Sequence, residues 1–173
     1  YLDVVAALNG TKFGNVEIIR GRYGLGSKDV QPGDILAVYE NMGAADEKKE
    51  FTLSINDDVT HLSLTPSHYP NTAPEGTVAC KFWGLGSDGT VGANKNSVKI
   101  IGDHTDKKVQ AYFQYDSKKS GGVTISHLRF GESPIKSTYY VKQANFVACH
   151  NSAYLAKYNM VEDVVPGGNF LLN

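Results

Sequence analysis

Residues 81–96, Lys-Phe-Trp-Gly-Leu-Gly-Ser-Asp-Gly-Thr-Val-Gly-Ala-Asn-Lys-Asn, constrain the fold more than any other stretch of this chain. An apolar run over Thr77–Trp83 reads as a strand, and helical spacing begins at Ala93 and continues to Ile101. Between them Gly84, Gly86 and Gly89 satisfy the spacing GxGxxG, where a strand must turn into a helix. Glycines there let backbone N–H groups approach a diphosphate without interference from Cβ. The helix N-terminus adds unpaired donors and the positive end of a dipole, worth roughly 0.3–1 kcal/mol to an anion. Ser87 and Thr90 supply hydroxyls, and Thr90, Asn94 and Lys95 gather polar groups at the helix start. The alternative is a tight turn that binds nothing; this clustering weighs against it.

The continuation fixes the fold class. Val109–Tyr115, Val123–Leu128 and Asn145–Ala148 read as further strands, and Ser152–Tyr158 as a short helix. Strands interleaved with helices imply an α/β unit with an open, largely parallel sheet covered on both faces. The strand after the glycine loop bears on the ligand. A nicotinamide dinucleotide site wants a free acid at its end to hold a ribose diol. Asp116 is there, but it stands 27 residues beyond Gly89, against the ~20 usual for that role. Ser117-Lys118-Lys119-Ser120-Gly121-Gly122 follow at once. Lysines at this edge suit a phosphate carried on the ribose, as in NADP or coenzyme A, the other possibility being an ordinary solvated turn.

Upstream, Val16–Arg20 reads as a strand, Pro32 opens a helix carrying Ile35, Leu36, Val38 and Tyr39, and Phe51–Ile55 alternates as a strand. Residues 66–76 hold Pro66, Pro70, Pro74 and Gly76 among polar residues and form the best linker. The expected division is therefore a partial α/β unit over 1–65, a linker over 66–76 and the glycine-loop domain over 77–173. Tyr23–Ser27 and Trp83–Ser87 share Gly-Leu-Gly-Ser, which two similar strand-to-helix turns explain more simply than duplication. The chain opens in what reads as the last turns of a helix, Leu2–Leu8. It stops in what reads as the first residues of a buried strand, Asn169–Leu172, so both ends look like cuts.

Composition narrows the chemistry. Hydrophobic residues make up 41% and charged ones 20%, with a net charge of −1, so no global field favours nucleic acid or an anionic membrane. No apolar run reaches the ~20 residues that span a bilayer, and the cytosol is the default compartment. Cys80 and Cys149 form no CxxC pair, which leaves zinc and iron–sulfur ligation unsupported. His61, His68, His104, His127 and His150 show no metal spacing and are expected to be structural. Cys149 and His150, as neighbours in a strand, should point to opposite faces. Asp57-Asp58 reads as a turn or cap, Trp83 as a core anchor of the loop, and Arg129 and Lys136 as residues facing another domain.

The segments KFWGLGSDGTVGANKN, AYFQYDSKKSGGVTISHLRFG, SPIKSTYYV and FVACHN resemble the coenzyme A domain of pyruvate:ferredoxin oxidoreductases. GRYGLGSKD and DDVTHLSL resemble the end of the domain before it in the same family. Such enzymes oxidatively decarboxylate pyruvate with thiamine diphosphate and Mg2+, pass electrons through [4Fe–4S] clusters to ferredoxin or flavodoxin, and transfer the acyl group to coenzyme A. The resemblance implies that Ser87, Asp88, Gly89, Thr90, Val91, Gly92, Asn94 and Lys95 line the phosphate region of coenzyme A. Lys118 and Lys119 would take its charged end. It also implies partners: the remaining domains of a longer chain, a second copy in a homodimer, and the electron acceptor. The location would be cytoplasmic, or hydrogenosomal in an anaerobic protist. Cysteine-rich and thiamine-binding motifs do not occur in this sequence, so the chain alone is not expected to turn over pyruvate. The competing expectation is a stand-alone Rossmann-type module that binds NADP.

Overall fold

The computed structural model describes residues 1–26, 28–56, 59–116, 121–136 and 138–173, and it divides between Pro70 and Asn71 into two units. In the first, α1 (Leu2–Leu8) leads into turns closed by hydrogen bonds from Thr11 to Leu8, Gly14 to Thr11 and Val16 to Phe13. Those bonds occupy the backbone where a strand over Val16–Arg20 was expected. The strand begins later, as β1 (Arg20–Arg22), and Val16 stays exposed. It pairs in parallel with β2 (Glu50–Thr52), with Gly21 opposite Phe51. The phenyl ring lies so close over Gly21 that a Cβ there would come within 2.4 Å of it. Extension beyond Thr52 stops at Ser54, whose φ of 58° is left-handed.

Between these strands runs α2 (Pro32–Met42), started as its sequence dictates, with proline in the first turn and a reciprocal cap. The Asp34 carboxylate accepts from the Gln31 backbone N–H and from the Ser54 hydroxyl, each at 2.7 Å. Asn41 fastens the helix end, giving to the Lys48 carbonyl and accepting from its amide at 2.9 Å. The first half of the proline-rich stretch rests on this helix. Ser67 donates to Glu40 at 2.6 Å, and a Cβ on Gly33 would meet the His68 carbonyl and the Tyr69 ring at 2.7 Å.

The second unit is a five-stranded open sheet with the order β4 (Lys108–Tyr115), β5 (Val123–Gly131), β3 (Val78–Leu85), β6 (Ala144–Cys149), β7 (Val164–Leu172). Pairs β3·β6 and β6·β7 are parallel, whereas β5 is antiparallel to both β3 and β4. Four strands therefore run one way and β5 alone returns, so the α/β class and the largely parallel sheet hold. The reversal is forced by length: the connection from Tyr115 to Val123 is far shorter than the dozen or more residues of a parallel crossover.

Register separates the two faces. Cys80 and Phe82 of β3 sit beside Leu128 and Ser126 of β5, on the face that α3 (Thr90–His104) covers. Ala79, Trp83, Ile125, Val147 and Cys149 lie on the other face, in a core closed by Val141, Tyr154 and Met160. Trp83 is thus the core anchor expected of it. The short helix over Ser152–Tyr158 is a 3-10 turn at Ser152–Tyr154 followed by further turns. Asn169–Leu172 does form a strand, but as the outer one beside β6 it leaves Leu171 and Leu172 exposed rather than buried.

The core face also carries charge. Lys81, His127 and Arg129 are all buried on it. Lys81 pairs with Asp163, as a buried ammonium must. Arg129 turns inward and does not face another domain: its guanidinium donates to the Tyr139 carbonyl at 2.6 Å and to Gln110 Oε1 at 3.2 Å, stacked 4.0 Å from the Tyr139 ring. Strand alternation is the reason, since residue 129 shares parity with Ile125 and His127. Burial pushes the His127 ring well below the ordinary imidazole value, helped by Lys81, Arg129 and Lys142. As a neutral ring it accepts the Val141 amide at Nδ1, 3.0 Å away, and stacks on Tyr140. These contacts bind the segment from Tyr139 to Val141 down over the sheet.

Candidate functional site

The carboxyl ends of β3, β4 and β6 meet at one edge of the sheet, where open α/β folds bind ligands. β3 ends at Leu85 and α3 begins at Thr90, so four residues make the whole turn. Gly84 is required by packing. A Cβ there would lie 2.4 Å from Thr90 Oγ1 and 2.6 Å from Thr90 Cβ, so helix and strand touch only because the side chain is absent. Gly89 is required by conformation, with a φ of 89° at the N-cap of α3. Ser87 takes a φ of 75°, uncommon without glycine, and is held there by the closed turn around it.

Asp88 closes that turn. Its carboxylate accepts the Leu85 and Thr90 amides, each at 2.8 Å, and its own N–H reaches the Leu85 carbonyl. Desolvation alone would raise its pKa, but the bonds from Thr90 and Leu85 together with nearby His150 outweigh this and bring it below the ordinary carboxylate value. The acid is therefore spent on shaping the loop. The amides of Val91 and Gly92, in the first turn of the helix, have no carbonyl of the helix behind them. Space in front of Gly89 and Gly92 is open, with no atom within 4 Å of where a Cβ would stand. An open recess of about 380 Å3 lies here, bounded by Asp88, Gly89, Thr90, Ala93, His150 and Asn173.

Of the residues singled out in the sequence, the structure brings Asp88, Gly89 and Thr90 to this recess, with Ser87, Val91 and Gly92 beside them in the chain. Asn94 is buried and gives its Nδ2 hydrogen to the Thr90 carbonyl, so it supports the loop from behind. Lys95 reaches over the Phe113 ring, 5.7 Å from its centre. Neither lines the recess. Lys118 and Lys119 lie outside the described residues, as do Ser27, Asp57 and Asp58. The flanks of the lysine pair are described: Asp116 follows β4 at the same edge, and Gly122 accepts the Gly86 amide at 2.8 Å.

One residue that the sequence left aside arrives here. His150, next after β6, sets Nδ1 2.9 Å from Thr90 Oγ1, while Cys149 turns to the opposite side and gives its thiol hydrogen to the Asn151 carbonyl. No local pattern announces a contact between residues sixty apart. The other cysteine, Cys80, is buried, and burial pushes its thiol up to about 11, which leaves it protonated and unreactive at neutral pH. Among the described residues, no group of three or more His, Cys, Asp or Glu side chains stands close enough to hold a metal ion, and no helix is long and apolar enough to cross a membrane.

Known proteins give this geometry a context. The family model described as pyruvate ferredoxin/flavodoxin oxidoreductase matches residues 79–173, from the second residue of β3 to the end of the chain. The pyruvate:ferredoxin oxidoreductase of Moorella thermoacetica is 60% identical over 159 residues, covering 92% of this chain and 14% of that protein. A pyruvate-flavodoxin oxidoreductase of Enterobacter agglomerans is 53% identical over 174 residues, covering 100% of this chain and 15% of its own length. The mitochondrial pyruvate dehydrogenase [NADP(+)] of Euglena gracilis is 51% identical over 175 residues and is covered over 10% of its length. The chain thus spans about one seventh of the first two relatives. With a family match over more than half its residues, including the whole glycine loop and the edge it shares with β4 and β6, the chain belongs to the pyruvate ferredoxin/flavodoxin oxidoreductase family.

Proposed function

We propose that this chain is part of an oxidoreductase that converts pyruvate and coenzyme A to acetyl-coenzyme A and reduces ferredoxin or flavodoxin, and that its own task is to hold the phosphates of coenzyme A. The observation that carries the local reading is the loop from Gly86 to Gly92, whose first-turn amides have no helix carbonyl behind them and whose Gly89 and Gly92 stand against open space. Coenzyme A fits such a donor set: its diphosphate is an anion that backbone N–H groups and a helix N-terminus bind without a metal. Lys118 and Lys119, which follow Asp116 in the sequence, take its ribose phosphate. Ser87, Val91 and Gly92 supply donors, while Asp88, Thr90 and Asn94 hold the loop in shape and Lys95 adds positive charge along the helix. On this reading residues 1–65 close the preceding domain, 66–76 connect, and 77–173 open the coenzyme A domain. Thiamine diphosphate, Mg2+ and [4Fe–4S] clusters would be held by other parts of the protein, which would work as a cytoplasmic or organellar homodimer.

What this chain's residues do chemically is bind and orient. Their energy is spent on a phosphate that does not react, so it enters binding of coenzyme A and not the barrier to decarboxylation. Replacing Lys118 and Lys119 together by alanine in the intact oxidoreductase is expected to raise KM for coenzyme A by about tenfold or more, equivalent to ~1.4 kcal/mol. Formation of the decarboxylated intermediate, followed without coenzyme A, should be unchanged. Gly89→Val should block the loop, with circular dichroism confirming that the variant is folded. A normal KM in both variants would remove the phosphate site from this loop.

A further inference from the structure

Within the proposed phosphate site, on which this inference rests, the recess has a direction. Its walls come from the ends of three neighbouring strands: Gly89 and Thr90 follow β3, His150 follows β6, and Asn173 follows β7. These strands are adjacent and parallel, so their carboxyl ends lie side by side along one edge. At ~4.8 Å per strand, β7 stands roughly 10 Å from β3. On the opposite flank the turn is closed, since the Gly86 amide donates to the Gly122 carbonyl at 2.8 Å. A ligand with its diphosphate at the first turn of α3 therefore has its open path, among the described residues, over the end of β6 toward β7. Asn173 is fastened at that far end. Its backbone N–H donates to the Cys149 carbonyl at 3.0 Å, and the neighbouring His150 amide donates to the Trp83 carbonyl at 2.8 Å. The Asn173 carboxamide is exposed and takes no part in the hydrogen bonds of the described residues. It brings one carbonyl acceptor and one NH2 donor group to the recess.

We propose that Asn173 binds the pantetheine arm of coenzyme A, pairing its carboxamide with an amide of that arm. The diphosphate of coenzyme A carries adenosine on one side and pantetheine on the other. Lys118 and Lys119, proposed for the ribose phosphate, follow β4 in the sequence, and β4 lies on the far side of β3 from β6 and β7. That order directs the adenosine arm toward β4 and leaves the β7 side to pantetheine. Pantetheine holds two amides in an uncharged, flexible chain. Each offers one N–H and one carbonyl, the complement of an asparagine side chain. An extended chain advances ~3.5 Å per amide unit, so the two amides beyond the phosphate reach across the end of β6. A neutral partner suits this end of the recess, where the ligand carries no charge. The loop would thus grip the anion, and Asn173 would set the course of the arm that leaves it.

The test is calorimetric binding of two ligands to the intact oxidoreductase. One is coenzyme A; the other is 3′-phospho-ADP, which keeps the diphosphate and the ribose phosphate and lacks the pantetheine arm. Asn173→Leu preserves the size of the side chain and removes both of its hydrogen-bonding groups. It should weaken coenzyme A roughly fivefold, as loss of a neutral hydrogen bond does, and leave 3′-phospho-ADP unchanged. Asn173→Gln, which keeps the carboxamide on a longer stem, should fall between the leucine variant and the wild type. If Asn173→Leu leaves coenzyme A untouched, or weakens both ligands alike, Asn173 does not read the arm and the proposal is overturned. Gly89→Val should weaken both ligands together. If it weakens neither, the phosphate reading of the loop falls instead, an outcome distinct from failure of the asparagine alone.

Discussion

The sequence Gly-Leu-Gly occurs twice, at Gly24–Gly26 and at Gly84–Gly86, and the two copies do opposite things. At Gly24 the glycine is a matter of backbone conformation: φ is 68°, and no atom lies within 4 Å of where a Cβ would stand. At Gly84 the backbone is ordinary, and the restriction is the Thr90 side chain pressed against it. The first run leads through several residues to a helix whose acidic cap, Asp34, stands apart from it inside α2. The second carries its own acid, Asp88, inside the turn, so strand, turn and helix become one unit. Identical residues are therefore not evidence of an identical device. What sets the second turn apart is the short distance to the next helix, together with the acid that closes the turn.

Substitution can break this comparison at graded cost. Gly84→Ala should have the largest effect, at the upper end of the ~1–3 kcal/mol typical of overpacking, because Thr90 cannot retreat without moving α3. Hydrogen exchange of peptides spanning 78–95 should show the loss locally. Mild acid should act on the same unit through a different group. Folded His127 resists protonation while the unfolded chain does not, so stability is full above the ordinary imidazole value of ~6.5. It falls as pH drops below that value, by at most ~1.4 kcal/mol per pH unit, and levels off only beneath the depressed folded value. Protection of the Val141 amide, which His127 accepts, should fall accordingly once its exchange is corrected for intrinsic pH dependence, and His127→Leu should abolish the pH dependence of that protection. In the first unit, Asp34→Ala removes a cap and should cost ~1 kcal/mol, read as faster exchange over α2. Gly24→Ala should cost about the same, for its left-handed φ. Gly26→Ala, at an ordinary φ with open space around it, should fall within ~0.5 kcal/mol of zero. Equal costs at Gly24 and Gly84 would mean that the two turns are alike after all.

Much of this architecture was legible in local pattern. Pro32 marked the start of α2, the strands read over Thr77–Trp83 and Val123–Leu128 found β3 and β5, and the glycine spacing marked the start of α3 to within three residues. Three features were not legible, each for its own reason. β1 is displaced because Thr11–Val16 spends its backbone on turns, which apolar residues such as Val16 do not betray. The burial of Lys81, His127 and Arg129 was not legible because charge ordinarily marks the outside. Their burial depends on partners far along the chain, Asp163 for the first and Val141 and Tyr139 for the others. His150 meets Thr90 only because β6 lies beside β3 in the finished sheet. Chemistry assembled by sheet order leaves no periodic trace.

On the proposed function, the bond from the Gly86 amide to the Gly122 carbonyl has a consequence for how a ligand would be gripped. It fastens the turn after β3 to the return from β4, so the two lips of the cleft are already joined before anything enters. A ligand that touches both need not lose freedom twice, since the search for their mutual placement was completed when the sheet folded. Cutting this tie by lengthening the segment between β4 and β5 should leave the backbone donors of the glycine loop in place and yet slow capture, for the two lips would then have to find each other anew at every encounter.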